Sequence, residues 1–177
     1  MEFQNEIGII QRKMAASVAG SSRRLEILYV LDIKAGQQVL DIGGGGGHLL
    51  EELAKAVGPN GKAIGLDTSQ DQLKQANEKC ALYDNASTLL GFANKINLEK
   101  NSCDAVASAQ IFEYIEDVDE SIEEVSRILK PSSIFANISI LWDYYKFYGA
   151  EDNLNNLIQD TFKAHCFHQM LPTTLSG

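Results

Sequence analysis

A carboxylate, five glycines in a row and a second carboxylate further on are the residues of this chain whose types and spacing could do chemistry. In the stretch VLDIGGGGGHLLEELA, Asp41 and Ile42 end an apolar run, Gly43 to Gly47 follow, and a helical pattern begins at once. Each glycine costs roughly 0.5–1 kcal/mol of extra chain entropy on folding, so the run takes a sizeable part of the ~5–15 kcal/mol that keeps a domain folded. Backbone without Cβ atoms turns tightly and approaches a ligand at van der Waals distance, and the helix behind it offers free N–H groups. Five glycines exceed what a strand-to-helix turn needs, so a ligand is expected there, at the carboxyl end of a strand. Asp67 lies 20 residues beyond Gly47 and ends a second apolar run. A carboxylate there can accept hydrogen bonds from both hydroxyls of a ribose. Its alternative role is to cap a helix, although Ser69 already supplies a cap.

Two familiar glycine motifs fail. A dinucleotide fingerprint needs glycine at i, i+2 and i+5, and the third position falls on His48, Leu49 or Leu50. A phosphate-binding loop needs Gly-Lys followed by Ser or Thr, whereas Gly61-Lys62 is followed by Ala63. What fits is D-x-G-x-G-x-G through Asp41, Gly43, Gly45 and Gly47. Cys80, Cys103 and Cys166 form no C-x-x-C pair, which argues against a disulfide framework and against structural zinc. His165, Cys166 and His168 could offer ligands, but no second cluster completes a site, so no metal is expected.

The elements that must position these residues alternate along the chain. QQVLDI, KAIGLD, STLLGF, CDAVASA and SSIFANISIL read as strands too apolar to leave a face in water. With helix-like segments between them, this is the rhythm of a parallel α/β sheet covered on both faces. Leu49, Leu50, Leu53 and Val57 recur at helical spacing before Gly58-Pro59, and Ser69 three before Gln72 predicts a helix start just past Asp67. A third helix should carry Ile122, Val125 and Leu129 on one face and stop at Lys130-Pro131. Upstream, Leu25, Leu28 and Leu31 predict an amphipathic helix capped by Ser21 or Ser22. Downstream, Leu154, Leu157, Ile158, Thr161 and Phe162 predict another.

A length of 177 residues with 45% hydrophobic residues suits one globular domain. The net charge of -9 repels polyanions, and Arg12-Lys13 and Arg23-Arg24 are scattered pairs, so nucleic acid is not an expected partner. No segment reaches the ~18 apolar residues of a membrane span, and the start lacks a signal-peptide pattern. A cytoplasmic protein without membrane contact is expected.

VLDIGGGGGHL, AIGLDTSQDQLKQA and SAQIFEYIEDVDESIEEVSRILKP, in this order, resemble the class I S-adenosylmethionine-dependent methyltransferases, in the style of the small-molecule enzymes of quinone biosynthesis and arsenite methylation. The resemblance runs from about Leu25 to Leu141. It implies a three-layer Rossmann-like methyltransferase fold with a mostly parallel sheet. The domain would comprise a helical extension over 1–35, a cofactor-binding core over 36–141 and a helical tail over 142–177. The implied cofactor is S-adenosylmethionine and the implied acceptor a small molecule. Asp67 would hold the ribose, with Thr68 beside it, and Asp41 would face the ammonium and sulfonium charges. Gly43, Gly45 and Gly47 would make room for the methionine portion, Phe92 and Ala93 would line the purine side, and Ser108, Ala109 and Gln110 would lie near the methyl group. Methyl transfer is an in-line displacement with a good leaving group, so positioning and desolvation can supply much of the rate. If the acceptor needs a base, the candidates are Glu113, Tyr114, His48 and Asp143, each with a structural role as its alternative. The aromatic stretch from Trp142 to Tyr148 would form a substrate wall or pack as core or lid.

The chain departs from the family at three places. Phe92 stands where relatives carry an acid that binds the adenine amino group, and its ring could instead stack on or wall the purine. Ser132-Ser133 replaces a Gly-Gly turn before strand five. No strand is evident after Leu141, so the sheet order expected is 3-2-1-4-5 without strands 6 and 7, as in a truncated or divergent member. Strand five would then be an open apolar edge, covered by the tail or paired with a second copy as a homodimer. The alternative to an enzyme is a degenerate, non-catalytic binding module; a nicotinamide oxidoreductase is the remote third.

Overall fold

Runs too apolar to leave either face in water become central strands, and five of them build one sheet. The computed structural model describes residues 9, 12–141, 144, 148–149, 151–164, 166–169 and 171. Strands β1 (Gln38–Ile42), β2 (Lys62–Asp67), β3 (Ala86–Leu90), β4 (Cys103–Ala109) and β5 (Leu129–Ile138) are all parallel, in the order β3-β2-β1-β4-β5. The helices are α1 (Val18–Leu31), α2 (His48–Val57), α3 (Gln70–Lys79), α4 (Val118–Ile128) and α5 (Asp152–Lys163).

Alternation along the strands divides the core in two. Val39, Ala63, Ala105 and Ala107 pack with Ile27 and Leu31 of α1 and Leu50 and Leu53 of α2. Leu40, Ile42, Ile64, Leu66 and Val106 pack with Phe112 and with Val125 and Ile128 of α4. The chain moves outward from β1 to β2 and β3, then returns to the other side of β1 for β4 and β5. A crevice at the carboxyl ends of such a reversal is where open α/β sheets take ligands. The β3–β4 connection carries no helix and is tied down by Arg127, which donates to the carbonyls of Leu98 and Ile96 at 2.8 Å each. Among the described residues no helix is long and apolar enough to cross a membrane.

β1 and β3 differ from the expected QQVLDI and STLLGF by one or two residues, β3 being Ala86–Leu90, and three further element boundaries differ from the sequence expectations. Helix α1 starts at Val18, capped by Ser17, whose Oγ accepts from the Gly20 N–H at 3.2 Å. Its buried face is Gly20, Arg24, Ile27 and Leu31, while Leu25 is 63% exposed. A paired arginine occupies the core-facing stripe, which apolar periodicity alone does not register. Helix α4 ends at Ile128, and Leu129 already pairs with Cys103 as the first residue of β5. Pro131 disfavours helical backbone at the residue before it, so the chain leaves the helix early. β5 therefore spans Leu129–Ile138 and not Ser132–Leu141, with a register shift opposite Cys103 and Ala105 where Ser132 takes a left-handed φ of 66°. In α5 the expected apolar stripe is largely outward, with Leu154 and Leu157 exposed and Asn155 buried. Among the described residues no strand pairs with the outer edge of β5.

A non-glycine residue in the left-handed region costs ~1–2 kcal/mol, and glycine there gives back roughly 0.5–1 kcal/mol of it in chain entropy. Ser132→Gly is therefore expected to stabilise the protein by roughly 0.5–1 kcal/mol, read as a higher urea midpoint at unchanged slope. A lower midpoint would contradict the strained turn.

Candidate functional site

The site is built where β1 turns into α2. Gly43, Gly45 and Gly47 take φ of 73°, 50° and 81°, while Gly44 and Gly46 stay outside the left-handed region. The turn is pinned by the Gly43 and Gly44 N–H groups, which donate to the Leu66 carbonyl at 2.8 and 3.0 Å. Side chains are also excluded sterically: a Cβ at Gly43 would lie 2.8 Å from Ile111, and one at Gly47 2.7 Å from the Ala76 backbone. A Cβ at Gly44 would come within 3.1 Å of Asp41 Oδ2, so this glycine is more constrained than the alternating motif implies.

Two carboxylates flank the turn. Asp67, at the end of β2, accepts from the Gly45 N–H at 3.0 Å through Oδ2 and from the Ser69 N–H at 2.9 Å through Oδ1. Burial pushes its carboxyl above the ordinary value, and these N–H groups pull it back. The Thr68 backbone N–H also acts on this carboxyl in the same direction; an ionised carboxylate has about four lone-pair sites, so acceptor capacity remains. The Ser69 side chain caps α3 by accepting from the Gln72 N–H at 3.4 Å, as its spacing implies. Asp41 sits on β1 between Gly65 and Ala107 and is 1% exposed. Its Oδ2 has no hydrogen-bond partner among the described residues. Burial, and then the negative charge of Asp67, push its carboxyl well above the ordinary value, against the opposing field of Arg24.

Beyond Asp67, a cleft of ≈ 570 Å³ opens at the ends of β2 and β3, lined by Thr68, Leu90, Gly91, Phe92, Lys95, Ile96 and Asn97. Phe92 is 66% exposed on its rim and Ala93 is half-buried beside it. On the other side of β1, Ser108, next to last in β4, is completely buried, its Oγ without a partner among the described residues, and Ala109 ends the strand. Gln110 follows with a left-handed φ of 58°, its N–H donating to the Ile138 carbonyl at 2.7 Å. Glu113 is fully buried and accepts from Ser139 Oγ at 3.0 Å, while its Oε1 is unpartnered among the described residues. Burial raises the carboxyl of Glu113 and the hydroxyl of Tyr114 above their ordinary values. The Glu113 carbonyl also accepts from the His168 N–H at 3.1 Å, so the residue joins the β4 exit, the β5 exit and the tail. His48 opens α2 half-buried, and burial lowers its imidazole below the ordinary value. Asp143 lies outside the described residues, as do Trp142 and 145–147 of the aromatic stretch.

The structure thus gathers Asp41, the glycines, Asp67 and Thr68 around one turn, sets Phe92 and Ala93 beside it, and places Ser108 and Glu113 across β1. Three participants carried no sequence signal as such. Arg12 donates to Asp71 Oδ2 at 3.3 Å and Gln72 Oε1 at 3.2 Å, and its stem lies 2.9 Å from where a Gly46 Cβ would be, so an N-terminal turn closes over the glycines. Arg24 bonds both oxygens of Glu52 at 3.0 Å, together with the Ala15 carbonyl and Ser21 Oγ. Ile111 packs against Gly43 from the β4 side. The helical phase of Arg24, three residues before buried Ile27, was the one available hint. Among the described residues no group of His, Cys, Asp and Glu is arranged to hold a metal ion, and all three cysteines are buried and free.

Comparison with known proteins agrees with this architecture. A demethylmenaquinone methyltransferase of Staphylococcus aureus is 31% identical over 111 residues, which cover 63% of this chain and 46% of that protein. A crystal structure of an S-adenosylmethionine-dependent methyltransferase from Aquifex aeolicus superposes with a TM-score of 0.64 at 28% identity, covering 72% of this chain and 68% of that one. A putative S-adenosylmethionine-dependent methyltransferase from Methanococcus maripaludis shares the fold with a TM-score of 0.69 at 22% identity, over 91% of this chain and 71% of its own. The chain spans less than half the length of the curated relatives it matches first, 38% and 46%. Residues 33–174 match the methyltransferase-domain family, and the chain therefore belongs to that family, with the class I S-adenosylmethionine-dependent methyltransferase fold.

Proposed function

We propose that this chain binds S-adenosylmethionine across the glycine turn and transfers its methyl group to a small-molecule acceptor. The observation that carries the reading is the pair of carboxylates, Asp41 and Asp67, on either side of a left-handed glycine turn at the reversal of the sheet. The residues fit the group: Asp67 keeps lone pairs for a ribose diol, the unpartnered Oδ2 of Asp41 suits an ammonium or sulfonium, and the ≈ 570 Å³ cleft next to Asp67 can take the purine. When bound, the cofactor supplies an electrophilic methyl group on sulfur with a neutral thioether as leaving group.

The chain's own part is to bind, orient and keep water out. Asp67 holds the ribose while still bracing Gly45, so the sugar is referenced directly to the glycine turn. Asp41 balances positive charge in a site with almost no solvent. Ser108, Gln110 and Ile111 form the wall between the glycine turn and the β4 exit, where the acceptor would approach. Glu113, two residues after Ile111, accepts from Ser139 Oγ and so ties the β4 exit to the β5 exit beside that wall. A second reading, a module that binds the cofactor without transferring methyl, draws on one observation: Glu113 is wholly buried, out of reach of an acceptor in this state.

S-adenosylhomocysteine at 100 times its dissociation constant should add ~2.7 kcal/mol, raising the melting temperature by roughly 5–11 °C; no shift at millimolar ligand, with the protein folded, would sink the reading. Release of S-adenosylhomocysteine from S-adenosylmethionine on adding small phenols, amines or thiols would mark the enzyme, whereas binding without turnover on any of them would favour the module. Asp67→Ala should weaken S-adenosylhomocysteine binding about 10- to 100-fold, as charge-assisted bonds of ~1.5–3 kcal/mol are lost, and His48→Ala by less than about threefold. Equal effects in calorimetry would contradict the ribose assignment.

For Asp41 the sign can be worked out from burial. Its carboxyl is raised in the folded state, so the native protein holds that proton more tightly than the unfolded chain. The group therefore favours folding at acid pH, and this contribution is lost as pH climbs above the unfolded value of ~4 towards the raised folded one. Cation binding prefers the ionised form, so cofactor affinity should rise over the same range. Asp41→Asn is expected to raise the ligand-free melting temperature at neutral pH by about 2–4 °C while weakening S-adenosylmethionine at least about tenfold. A lower melting temperature with unchanged binding would contradict this account.

A further inference from the structure

The cleft beside Asp67 offers a base a surface to lie on, and among the described residues its lining presents no carboxylate for an exocyclic amine to point at. Its rim carries an exposed phenyl ring, that of Phe92. The turn holding this ring is closed by the Lys95 N–H donating to the Phe92 carbonyl at 3.1 Å. It is fastened to α4 by Asn94 Nδ2 on Glu120 Oε2 at 3.2 Å and by the Ile96 N–H on Glu124 Oε2 at 2.9 Å. The acids next to the turn are thus engaged elsewhere: Glu120 by Asn94, and Glu124 by Ile96 and the Arg127 guanidinium. Among the described residues no carboxylate lines the cleft, whose polar side chains are Thr68, Lys95 and Asn97. A hydroxyl and an amide can each turn to donate or to accept, and an ammonium only donates.

We propose that this cleft grips the purine of its cofactor by stacking on Phe92 and does not read the 6-position, so that a 6-oxo purine is held about as well as a 6-amino purine. This rests on the cofactor reading of the same site. A fixed acceptor facing the exocyclic amine would reject the oxo form strongly, because its buried lone pair would meet another. Stacking is indifferent to that exchange, since every base has a π-face, and Asn97 can present its N–H2 to an oxo group as readily as its carbonyl to an amine.

Titration calorimetry of S-adenosylhomocysteine against S-inosylhomocysteine tests this on the wild-type chain. The two dissociation constants should agree within about threefold. Phe92→Ala should weaken both about 5- to 150-fold and to a similar degree, while Phe92→Asp, which installs a fixed acceptor at an exposed position, should make the adenosyl ligand preferred by at least about tenfold. A wild-type preference of tenfold or more for the adenosyl form, or Phe92→Ala binding both ligands undiminished, would overturn the proposal. If neither ligand binds at millimolar concentration, the cofactor reading fails, and this inference with it.

Discussion

The contact on which the rest of the site depends is the hydrogen bond from the Gly45 N–H to the carboxylate of Asp67, 3.0 Å long and 22 residues apart in sequence. It joins the turn after β1 to the end of β2, and the Ser69 N–H on the other carboxylate oxygen joins both to the start of α3. Because Gly43, Gly45 and Gly47 are left-handed, the turn folds back far enough for that N–H to reach the acid. The five-glycine run thus has a structural reason as well as a ligand-facing one. A single acid fixes the glycine turn and ties it to the start of the next helix.

Such a site works against the stability of the ligand-free chain. Asp41, Asp67 and Glu113 are each buried enough for their carboxyls to shift upward, two of them with an oxygen unpartnered among the described residues. Burying charge without a full set of partners costs on the order of several kcal/mol, so each of these carboxyls holds its proton more tightly than it would in water. Arg24 offsets part of the field at Asp41 from within the helical layer, while its partner Glu52 adds to the field that raises the carboxyl. Strain or unpaired charge of this kind concentrates where a ligand completes the chemistry. On the β4 side the polar groups of Ser108, Glu113, Asn137 and Ser139 cluster around the exits of two adjacent strands.

Much of this was legible in the sequence, for identifiable reasons. KAIGLD and CDAVASA coincide with β2 and β4 because strands buried on both faces are bounded by the ends of their apolar runs. Ser69 capped α3 as its spacing to Gln72 required. The alternating glycines matched the left-handed positions because only glycine takes that backbone without strain. What escaped depended on tertiary pairing. Arg24 turned a polar residue towards the core, and Leu129 left its helix for a bulged strand. The tight setting of Gly44 against Asp41 Oδ2 and the reach of Arg12 over Gly46 join residues that no local pattern connects. The third-strand motif showed that an acid was missing at Phe92, but not that Glu120 and Glu124 nearby are turned to other partners.

The account stands or falls on the dual use of Asp67, and the most direct measurement is a crystal structure of the chain with S-adenosylhomocysteine. Both ribose hydroxyls should lie within about 3 Å of the Asp67 carboxylate, with the Gly45 N–H still bonded to it and the amino group of the ligand over Asp41. A ligand seated away from the glycine turn, or a ribose held by other groups while Asp67 serves only the Gly45 and Ser69 N–H groups, would contradict it.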